Sequence, residues 1–389
     1  MFIRFVAALL CISYASAQSP VPPGAKLEKL STGYKFTEGP VWSASDQALL
    51  FSDVQGSTIY RWSVADSSAS VFLRPSDSSN GLAFDMQGRL ILTQMAKRRV
   101  SRRESDGTIT VLAATDRGRK FNSPNDIIVR SDGSVFFTDP DFNTPAGQPK
   151  ELPYKGIYRI SPTGVLQLID STFNLPNGIC LSPDETKLYV NESQLGRIYV
   201  WTFVNDSTLT GKKLFYTIPA GGYADGMKCD QAGNIYCTGP GGVWIVSPTG
   251  AGLGKISTPE TPTNCAWGGA DKKTLFITAG KSLYRIRMAA STGVNDQGTL
   301  QMPSFRLYAN YPNPFNPSTT IQYDLQEESL VRVNIFNSLG EKVATVVNER
   351  QQAGAHEVRF DSNTLASGVY LCQINAGRFA AAQKMILTR

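Results

Sequence analysis

The sequence predicts an all-β chain in which a six-bladed β-propeller is followed by a small C-terminal β-sandwich. Three observations lead to this fold class: a strand-turn-strand repeat, a change of pattern near residue 290, and 34 glycines with 22 prolines without a collagen period. Glycine and proline in that number suit short strands joined by turns. The 389 residues include 41 % hydrophobic and 18 % charged residues, so the chain can fill a sizeable core.

The repeat consists of six segments that share one phase. Each begins with a polar residue, continues into a short apolar strand, and reaches a second apolar strand after a turn such as Asp132-Gly133. The first residues are spaced 42, 45, 52, 48 and 39 apart. A period of this length, with further strands between the hairpins, is typical of propeller blades. The six segments begin at Glu38, Asn80, Asn125, Asn177, Asp225 and Asn264.

We assign the propeller to residues 25–290. The stretch from Leu27 to Phe36 is expected to add an outer strand to the last blade, which would close the ring and remove its exposed edges.

The composition and the hydrophobic pattern of the chain change near Ala289. Residues 291–304 are small and polar and indicate a linker. Residues 305–389 alternate in hydrophobicity, as in Val331, Val333 and Ile335, with a turn near Gly340. Some seven short strands in this length predict a β-sandwich.

The N-terminus has the pattern of a signal peptide over residues 1–17. Arg4 supplies the positive charge, an apolar run follows, and Ala15-Ser16-Ala17 forms a small-residue cleavage site. The apolar run is too short to span a bilayer, and no other segment is predicted to cross one. Export allows disulfides, and five cysteines remain after cleavage. Cys229 and Cys237 could face each other across a hairpin, although buried free thiols are the simpler interpretation.

The charge and histidine counts exclude several function classes. A formal net charge of +6 without clustering gives no basis for nucleic-acid binding. The single histidine, His356, lies outside the repeats, so the propeller can build no Ser-His-Asp triad, Cys-His dyad or His-ligated zinc site. Carboxylates, amides and hydroxyls remain as the candidate chemistry.

Residues at the same phase of each blade form a ring at one mouth of the central channel. Turn chemistry alone would favour Asn or Asp before Gly, but it explains Glu38 poorly. Two carboxylates and two amides around one axis suit Ca²⁺, or Mg²⁺ or Mn²⁺ with waters; Zn²⁺ is possible but not favoured without His or Cys. Two negative charges balance one divalent cation.

These residues lie in motifs that resemble the SMP-30/gluconolactonase/luciferin-regenerating-enzyme-like family of six-bladed propellers. The matching pieces include FTEGPVW (36–42), FNSPNDIIVRSDGSVFFTDPDF (121–142), LPNGICLSPDETKLYV (175–190) and YADGMKCDQAGNIY (223–236). The resemblance implies one divalent metal bound by Glu38, Asn177 and Asp225. It implies that Asp225 is also the general base, and that Asn125 contacts the substrate or water on the metal.

The implied activity is hydrolysis of a sugar lactone, in which the metal polarises the carbonyl oxygen and Asp225 accepts a proton from water. Asn80 and Asn125 can orient substrate hydroxyls. Ser123 and Gln94-Met95 depart from the pattern of some members, which leaves the substrate contacts less defined than the metal ligands. Tyr223 and Phe142 are candidate walls of the mouth, with ordinary packing as the simpler interpretation.

The C-terminal part is similar to the sorting domain of type IX secretion cargo. The motifs are NYPNPFNPST (310–319), IFNSLGEKV (335–343) and LASGVYLCQI (365–374). The resemblance implies that residues 305–389 engage the type IX secretion machinery, and that the protein is exported across the outer membrane to the surface or beyond.

Two other functions remain open at this point. One is a phosphotriesterase-like hydrolase on the same metal site. The other is a non-enzymatic surface propeller that binds sugars or proteins, because propellers serve both roles. The sequence leaves open the lactone, the metal, the disulfide pairing, the oligomeric state, and whether the mature protein is released or anchored.

Overall fold

A computed structural model describes residues 19–142, 144, 147–219, 222–288, 306–308, 310–325, 328–362, 365–377 and 379–388. The chain divides into two compact units, residues 1–290 and 291–389. The predicted signal peptide (1–17) and linker (291–304) lie outside the described residues. Within the described ranges, none of the helical segments has the length and hydropathy that a membrane-spanning helix requires.

The first unit is a six-bladed propeller, which confirms the predicted fold. Strand β1 (Leu27–Thr32) precedes the first complete blade. The first three blades each contain four antiparallel strands in chain order. Blade 1 has β2 (Thr37–Ser43), β3 (Ala48–Asp53), β4 (Thr58–Ser63) and β5 (Ser68–Leu73). Blade 2 has β6 (Ser79–Phe84), β7 (Leu90–Gln94), β8 (Arg99–Arg103) and β9 (Ile109–Ala113), with a 3₁₀ turn at Met95–Lys97. A two-residue hairpin, β10 (Thr115–Asp116) and β11 (Arg119–Lys120), precedes blade 3, which has β12 (Ile127–Val129), β13 (Val135–Asp139), β14 (Gly156–Ile160) and β15 (Leu166–Asp170).

The remaining blades repeat this order, and the last one closes the ring. Blade 4 has β16 (Pro176–Leu181), β17 (Lys187–Glu192), β18 (Arg197–Phe203) and β19 (Leu209–Thr217). Blade 5 has β20 (Met227–Cys229), β21 (Ile235–Gly239), β22 (Gly242–Val246) and β23 (Gly252–Ser257). Blade 6 has β24 (Pro262–Gly268), β25 (Thr274–Ala279) and β26 (Ser282–Arg287), and its outer strand is β1. Antiparallel pairing of β1 with β26, from Leu27 with Ile286 to Thr32 with Ser282, confirms the predicted closure.

Apolar side chains hold each blade against the next. Between blades 3 and 4, for example, the apolar cluster includes Ile128, Phe136, Ile179, Val190 and Trp201. Similar clusters occupy the other five interfaces between neighbouring blades. The core of this unit therefore lies between the blades, and the channel along the axis is left to polar residues.

Glycine follows several residues of the predicted ring because neighbouring inner strands approach closely there. A Cβ atom on Gly39 would lie 1.8 Å from the backbone oxygen of Asn80, and Gly39 has a φ of +46°. A Cβ atom on Gly178 would lie 2.3 Å from the backbone oxygen of Asp225. Both glycines belong to innermost strands, so close packing of the strands, and not a hairpin turn, explains these dipeptides.

The second unit consists of two antiparallel sheets, as predicted. Its strands are β27 (Arg306–Leu307), β28 (Ser318–Leu325), β29 (Ser329–Phe336), β30 (Lys342–Gln351), β31 (Gly354–Asp361), β32 (Gly368–Ala376) and β33 (Phe379–Leu387). One sheet has the order β27-β28-β31 and the other β30-β29-β32-β33. The alternating residues Val331, Val333 and Ile335 are fully buried in the core between them. His356 lies in β31, stacked on Tyr323, with its Nε2 2.7 Å from the backbone oxygen of Gln352.

The described cysteines are free thiols, and the hairpin disulfide is excluded by register. Cys229 is opposite Ile235, and Cys237 is opposite Met227, so the two sulfurs do not face each other. Burial raises the thiol pKa of Cys229 and Cys265 to about 12. The interpretation as buried apolar thiols is confirmed for Cys180, Cys237, Cys265 and Cys372, whereas Cys229 is a free thiol that is only partly buried.

The close approach at Gly39 can be tested by substitution. We expect Gly39→Ala to lower the free energy of unfolding by roughly 3 kcal/mol or more, because the new methyl collides with backbone and the φ is unfavourable. Gly88→Ala is the matched control: its φ is +75°, but a Cβ atom there would meet open space. It should cost about 1 kcal/mol. Denaturant unfolding of both variants checks this, and equal losses would contradict the role of close packing.

Candidate active site at the mouth of the propeller channel

All six predicted ring residues lie where the innermost strand of a blade begins. Glu38 is in β2, Asn80 in β6, Asn177 in β16 and Asn264 in β24. Asn125 and Asp225 come just before β12 and β20. The innermost strands run in the same direction around the axis, so their first residues meet at one face. Five of the six side chains are 1–4 % exposed, and Asp225 is partly exposed.

Direct contacts join neighbouring members of this ring. Asn177 donates a side-chain hydrogen bond to Asp225, and Asn264 donates one to Glu38. The backbone N–H of Gly81 donates to the carbonyl of Asn125 at 2.8 Å. These contacts join blades 4 and 5, blades 6 and 1, and blades 2 and 3 at the ring.

A second circle of hydrogen bonds lies immediately behind the ring, and we call it the hub relay. In each of its links, a side chain of one blade donates to the inner-strand backbone of the next blade. The donor–acceptor distances lie between 2.6 and 2.9 Å. The links are Ser52 to Asn80, Thr93 to Asn125, Thr138 to Asn177, Asn191 to Asp225, Thr238 to Thr263, and Thr263 to Thr37.

Carboxylate side chains hold the backbone that leads into three of the ring residues. Asp139, the last residue of β13, accepts from the backbone N–H groups of Asn122 and Ser123, each at 2.8 Å. These are the residues three and two positions before Asn125. Burial raises the pKa of Asp139 to about 7, although the same N–H donors oppose the shift.

The same arrangement recurs at equal offsets in blades 1 and 4. Asp53 accepts from the two residues that stand three and two positions before Glu38, and Glu192 does so before Asn177. We call Asp53, Asp139 and Glu192 the clamp carboxylates. In blade 2 the equivalent position is Gln94, whose amide donates to the side chain of Asp77 at 3.1 Å.

Sequence reasoning did not identify the hub relay or the clamp carboxylates. A signal was present, because five repeats carry a hydroxyl or amide donor immediately before the clamp position: Ser52-Asp53, Thr93-Gln94, Thr138-Asp139, Asn191-Glu192 and Thr238-Gly239. The pairs end the second strand of each repeat, where they resemble ordinary strand ends.

The two ring carboxylates repel one another. Burial, followed by the negative charge of Asp225, raises the pKa of Glu38 well above its usual range. Burial also raises the pKa of Asp225 to about 8, although the hydrogen bond from Asn177 opposes this shift. Two buried carboxylates in mutual reach favour either protonation or a bound cation.

The polar atoms around these carboxylates fit a hard cation. The Oδ1 atoms of Asn80 and Asn177 are buried and have no hydrogen-bond partner. An unpartnered buried oxygen is costly unless a ligand completes it. Among the residues that the structure describes, no group of three or more His, Cys, Asp or Glu comes together as a metal site. The donor set is therefore carboxylate and amide oxygen, which suits Ca²⁺ better than Zn²⁺.

Tyr223 and Phe142, the candidate walls of the mouth, both have exposed side chains. Tyr223 is 67 % exposed and stands two positions before Asp225. Its φ of +48° is unusual for a bulky residue and marks a constrained backbone. Phe142 is 38 % exposed and stands three residues after Asp139.

Comparisons with known proteins agree with this architecture. A family model described as the SMP-30/gluconolactonase/LRE-like region matches residues 36–281, which is more than half of the chain. A second model, described as the secretion system C-terminal sorting domain, matches residues 309–388.

Individual relatives cover the propeller. A gluconolactonase of Zymomonas mobilis is 34 % identical over 289 residues, which is 67 % of this chain and 81 % of that protein. A solved gluconolactonase of Xanthomonas campestris matches with a TM-score of 0.65 and 32 % identity, over 70 % of this chain and 92 % of that one. A calcium-binding regucalcin of Agrobacterium tumefaciens shares the fold, with a TM-score of 0.59 and 19 % identity over 68 % of this chain and 94 % of that one.

The fold and the ring define a six-bladed propeller with an oxygen-lined site at its channel mouth. The chain belongs to the SMP-30/gluconolactonase/LRE-like family, and residues 309–388 match a secretion system C-terminal sorting domain. Both predicted resemblances are confirmed, as is the assignment to a lactonase-type enzyme.

The hub relay makes a prediction for stability. Thr93 Oγ1 donates to the carbonyl of Asn125 at 2.7 Å and accepts from the N–H of Gly81 at 2.9 Å. Thr93→Val should lower the free energy of unfolding by about 1–3 kcal/mol, because it leaves buried backbone groups without that partner. The exposed Thr202 of β18 provides the control: Thr202→Val should stay within about 0.5 kcal/mol. Urea unfolding of the two variants measures both, and similar losses would contradict a special role for Thr93.

Proposed function

We propose that the protein is an exported, metal-dependent hydrolase that opens a sugar lactone. The observation that carries this proposal is the ring at the channel mouth. It brings two carboxylates, Glu38 and Asp225, together with the unpartnered amide oxygens of Asn80 and Asn177. Membership of a lactonase family supports the same reaction class.

Glu38, Asn177 and Asp225 would hold one divalent cation. Ca²⁺ is the favoured ion because the donors are hard oxygens, with Mg²⁺, Mn²⁺ or Zn²⁺ as alternatives. The regucalcin noted above is described as calcium-binding, which is consistent with this choice. When bound, the ion supplies Lewis-acid polarisation of the ester carbonyl and stabilises negative charge on its oxygen.

The chain's own residues would carry the remaining steps. Asp225 is the proposed general base, because its carboxylate is partly exposed at the mouth and can take a proton from the attacking water. Asn125 and Asn80 would orient substrate hydroxyls from the neighbouring blades. The rigid backbone behind them supports such orientation, since both carbonyls accept hub-relay bonds.

The C-terminal domain indicates export to the cell surface or beyond. We propose that residues 1–17 direct the first export step and that residues 305–389 engage the type IX machinery for the second. The propeller would then act on lactones outside the cell.

A direct assay tests the reaction. The purified chain should hydrolyse glucono-1,5-lactone above the spontaneous rate, lose activity with chelator, and recover it with Ca²⁺. Asp225→Asn should lower kcat/KM at least about 100-fold, since it removes a ligand charge and the base together. Asp206→Asn, an exposed surface carboxylate, serves as the control and should retain activity.

Two other outcomes of this assay would favour the alternative functions. Tight Ca²⁺ binding without turnover of any lactone in a panel would favour the surface-binding propeller. Turnover of an organophosphate ester in place of lactones would favour the phosphotriesterase-like alternative.

The exposed Tyr223 gives a separate prediction for substrate binding. An aromatic face beside the base can stack on the apolar face of a sugar ring. We expect Tyr223→Ala to raise KM roughly three- to tenfold with little change in kcat, because about 1 kcal/mol of stacking is lost. Tyr223→Phe keeps the ring and should resemble the native chain. Val165, which is 64 % exposed in the turn between β14 and β15, gives the control Val165→Ala. An unchanged KM in Tyr223→Ala would exclude this contact.

A further inference from the structure

A partly buried lysine next to the ring forms an ion pair with a residue of another blade. Lys228 stands three residues after Asp225, on the innermost strand of blade 5, and its side chain is only 21 % exposed. Its Nζ lies 3.7 Å from Oδ2 of Asp126, on blade 3. Neither Lys228 nor Asp126 has a role in the proposed reaction. An ion pair between inner strands of different blades therefore needs its own explanation.

Lys228 and Asp126 are both fixed by further contacts. Lys228 Nζ donates to Oδ1 of Asn264 at 3.3 Å and to the backbone oxygen of Met227 at 3.1 Å. Asp126 Oδ2 accepts from the N–H of Ile179 at 3.2 Å, and Oδ1 accepts from the N–H of Ile127 at 3.0 Å. The pair thus connects inner strands of blades 3, 4, 5 and 6.

The pair lies within electrostatic reach of the ring. The negative charge of Asp126 contributes to the raised pKa of both Glu38 and Asp225. Asn264 contacts Lys228 on one side and Glu38 on the other. Burial is the largest single influence on the pKa of Lys228 and lowers it, but the nearby negative charges, Asp126 first and Glu38 among them, together leave that pKa raised.

The ionisable groups at this end of the channel can be counted. Glu38, Asp225 and Asp126 supply three negative charges when ionised, and Lys228 supplies one positive charge. The neighbouring thiols of Cys180 and Cys265 stay neutral, because burial raises their pKa. The remaining charge is minus two, which matches one divalent cation.

We propose that the ammonium group of Lys228 neutralises the carboxylate of Asp126. Lys228 thereby sets the net charge that the ring presents to a divalent ion. The inference rests on the proposed function, because it assumes that the ring binds such an ion. It makes Lys228 a positioning residue that acts through charge, without touching the substrate.

The proposal predicts shifts of opposite sign in metal affinity. Lys228→Met leaves Asp126 unpaired and should tighten Ca²⁺ binding roughly tenfold or more, because it adds net negative charge nearby. Asp126→Asn leaves Lys228 unpaired and should weaken binding by a similar factor. The double variant restores the balance and should bind within about threefold of the native chain. Lys228→Arg keeps the charge and should also bind like the native chain.

Calorimetric titration of Ca²⁺ into the chelator-treated full chain measures these affinities, with Mn²⁺ as a second probe ion. Circular dichroism checks that each variant is folded. If Lys228→Met does not fold because it buries an unpaired carboxylate, Asp126→Asn and Lys228→Arg decide the question.

The outcomes separate this inference from the proposed function. Suppose that the native chain binds Ca²⁺, but the single variants bind it with the same affinity or their affinities shift in the same direction. The proposed charge role of Lys228 is then wrong, whereas the proposed metal site is retained. If the native chain binds neither ion, the proposed metal site fails and this inference fails with it. Opposite shifts that cancel in the double variant would establish the charge role.

Discussion

The hub relay is the interaction on which the rest of the propeller depends. Five of the six donors lie on the second strand of their own blade and reach the inner-strand backbone of the next one, as Thr138 does with Asn177 and Asn191 does with Asp225. The sixth donor, Thr263, lies on the innermost strand of blade 6. Five of the six bonds are buried and that of Asn191 is partly buried, so water competes little for them and an unmade bond is costly. Apolar contacts between blades are non-directional, whereas a hydrogen bond has a preferred length and angle. The relay therefore sets the rotation of each blade and the position of each ring residue.

This arrangement explains how the buried amide oxygens of Asn80 and Asn177 can remain without hydrogen-bond partners. The backbone groups of the ring are satisfied by hub-relay and clamp bonds, so the side chains of Asn80, Asn177 and Glu38 remain available. Their burial is unfavourable in the absence of a ligand, as the raised pKa of Glu38 shows. The free energy stored in two crowded carboxylates and two unpartnered amides is released when a cation binds, which favours binding over an empty site.

The sequence predicted those features that repeat with the blade. The phase of the six segments located Glu38 and Asn177 correctly, because the first residue of an innermost strand always reaches the same face. It did not reveal the hub relay, since Ser52 and Thr93 look like ordinary strand residues and their partners belong to other blades. The register of β20 with β21, which separates Cys229 from Cys237, depends on a hairpin whose length the pattern did not define. The Lys228–Asp126 pair was missed for the same reason as the relay: it joins blades that lie 102 residues apart in the chain.

The distribution of clamp carboxylates bears on which ring residue can exchange protons. Blades 1, 3 and 4 have Asp53, Asp139 and Glu192 at the clamp position, but blade 5 has Gly239 there. Asp225 is accordingly held by its own N–H to Thr238 and by Asn177, and it is the ring residue that remains partly exposed. A metal ligand benefits from rigidity, whereas a base must also reach water. Of the two blades that supply a ring carboxylate, blade 1 has a clamp carboxylate and blade 5 has none. Blade 5 is therefore the one suited to carry the base, and the exposed Tyr223 stands two residues before that base.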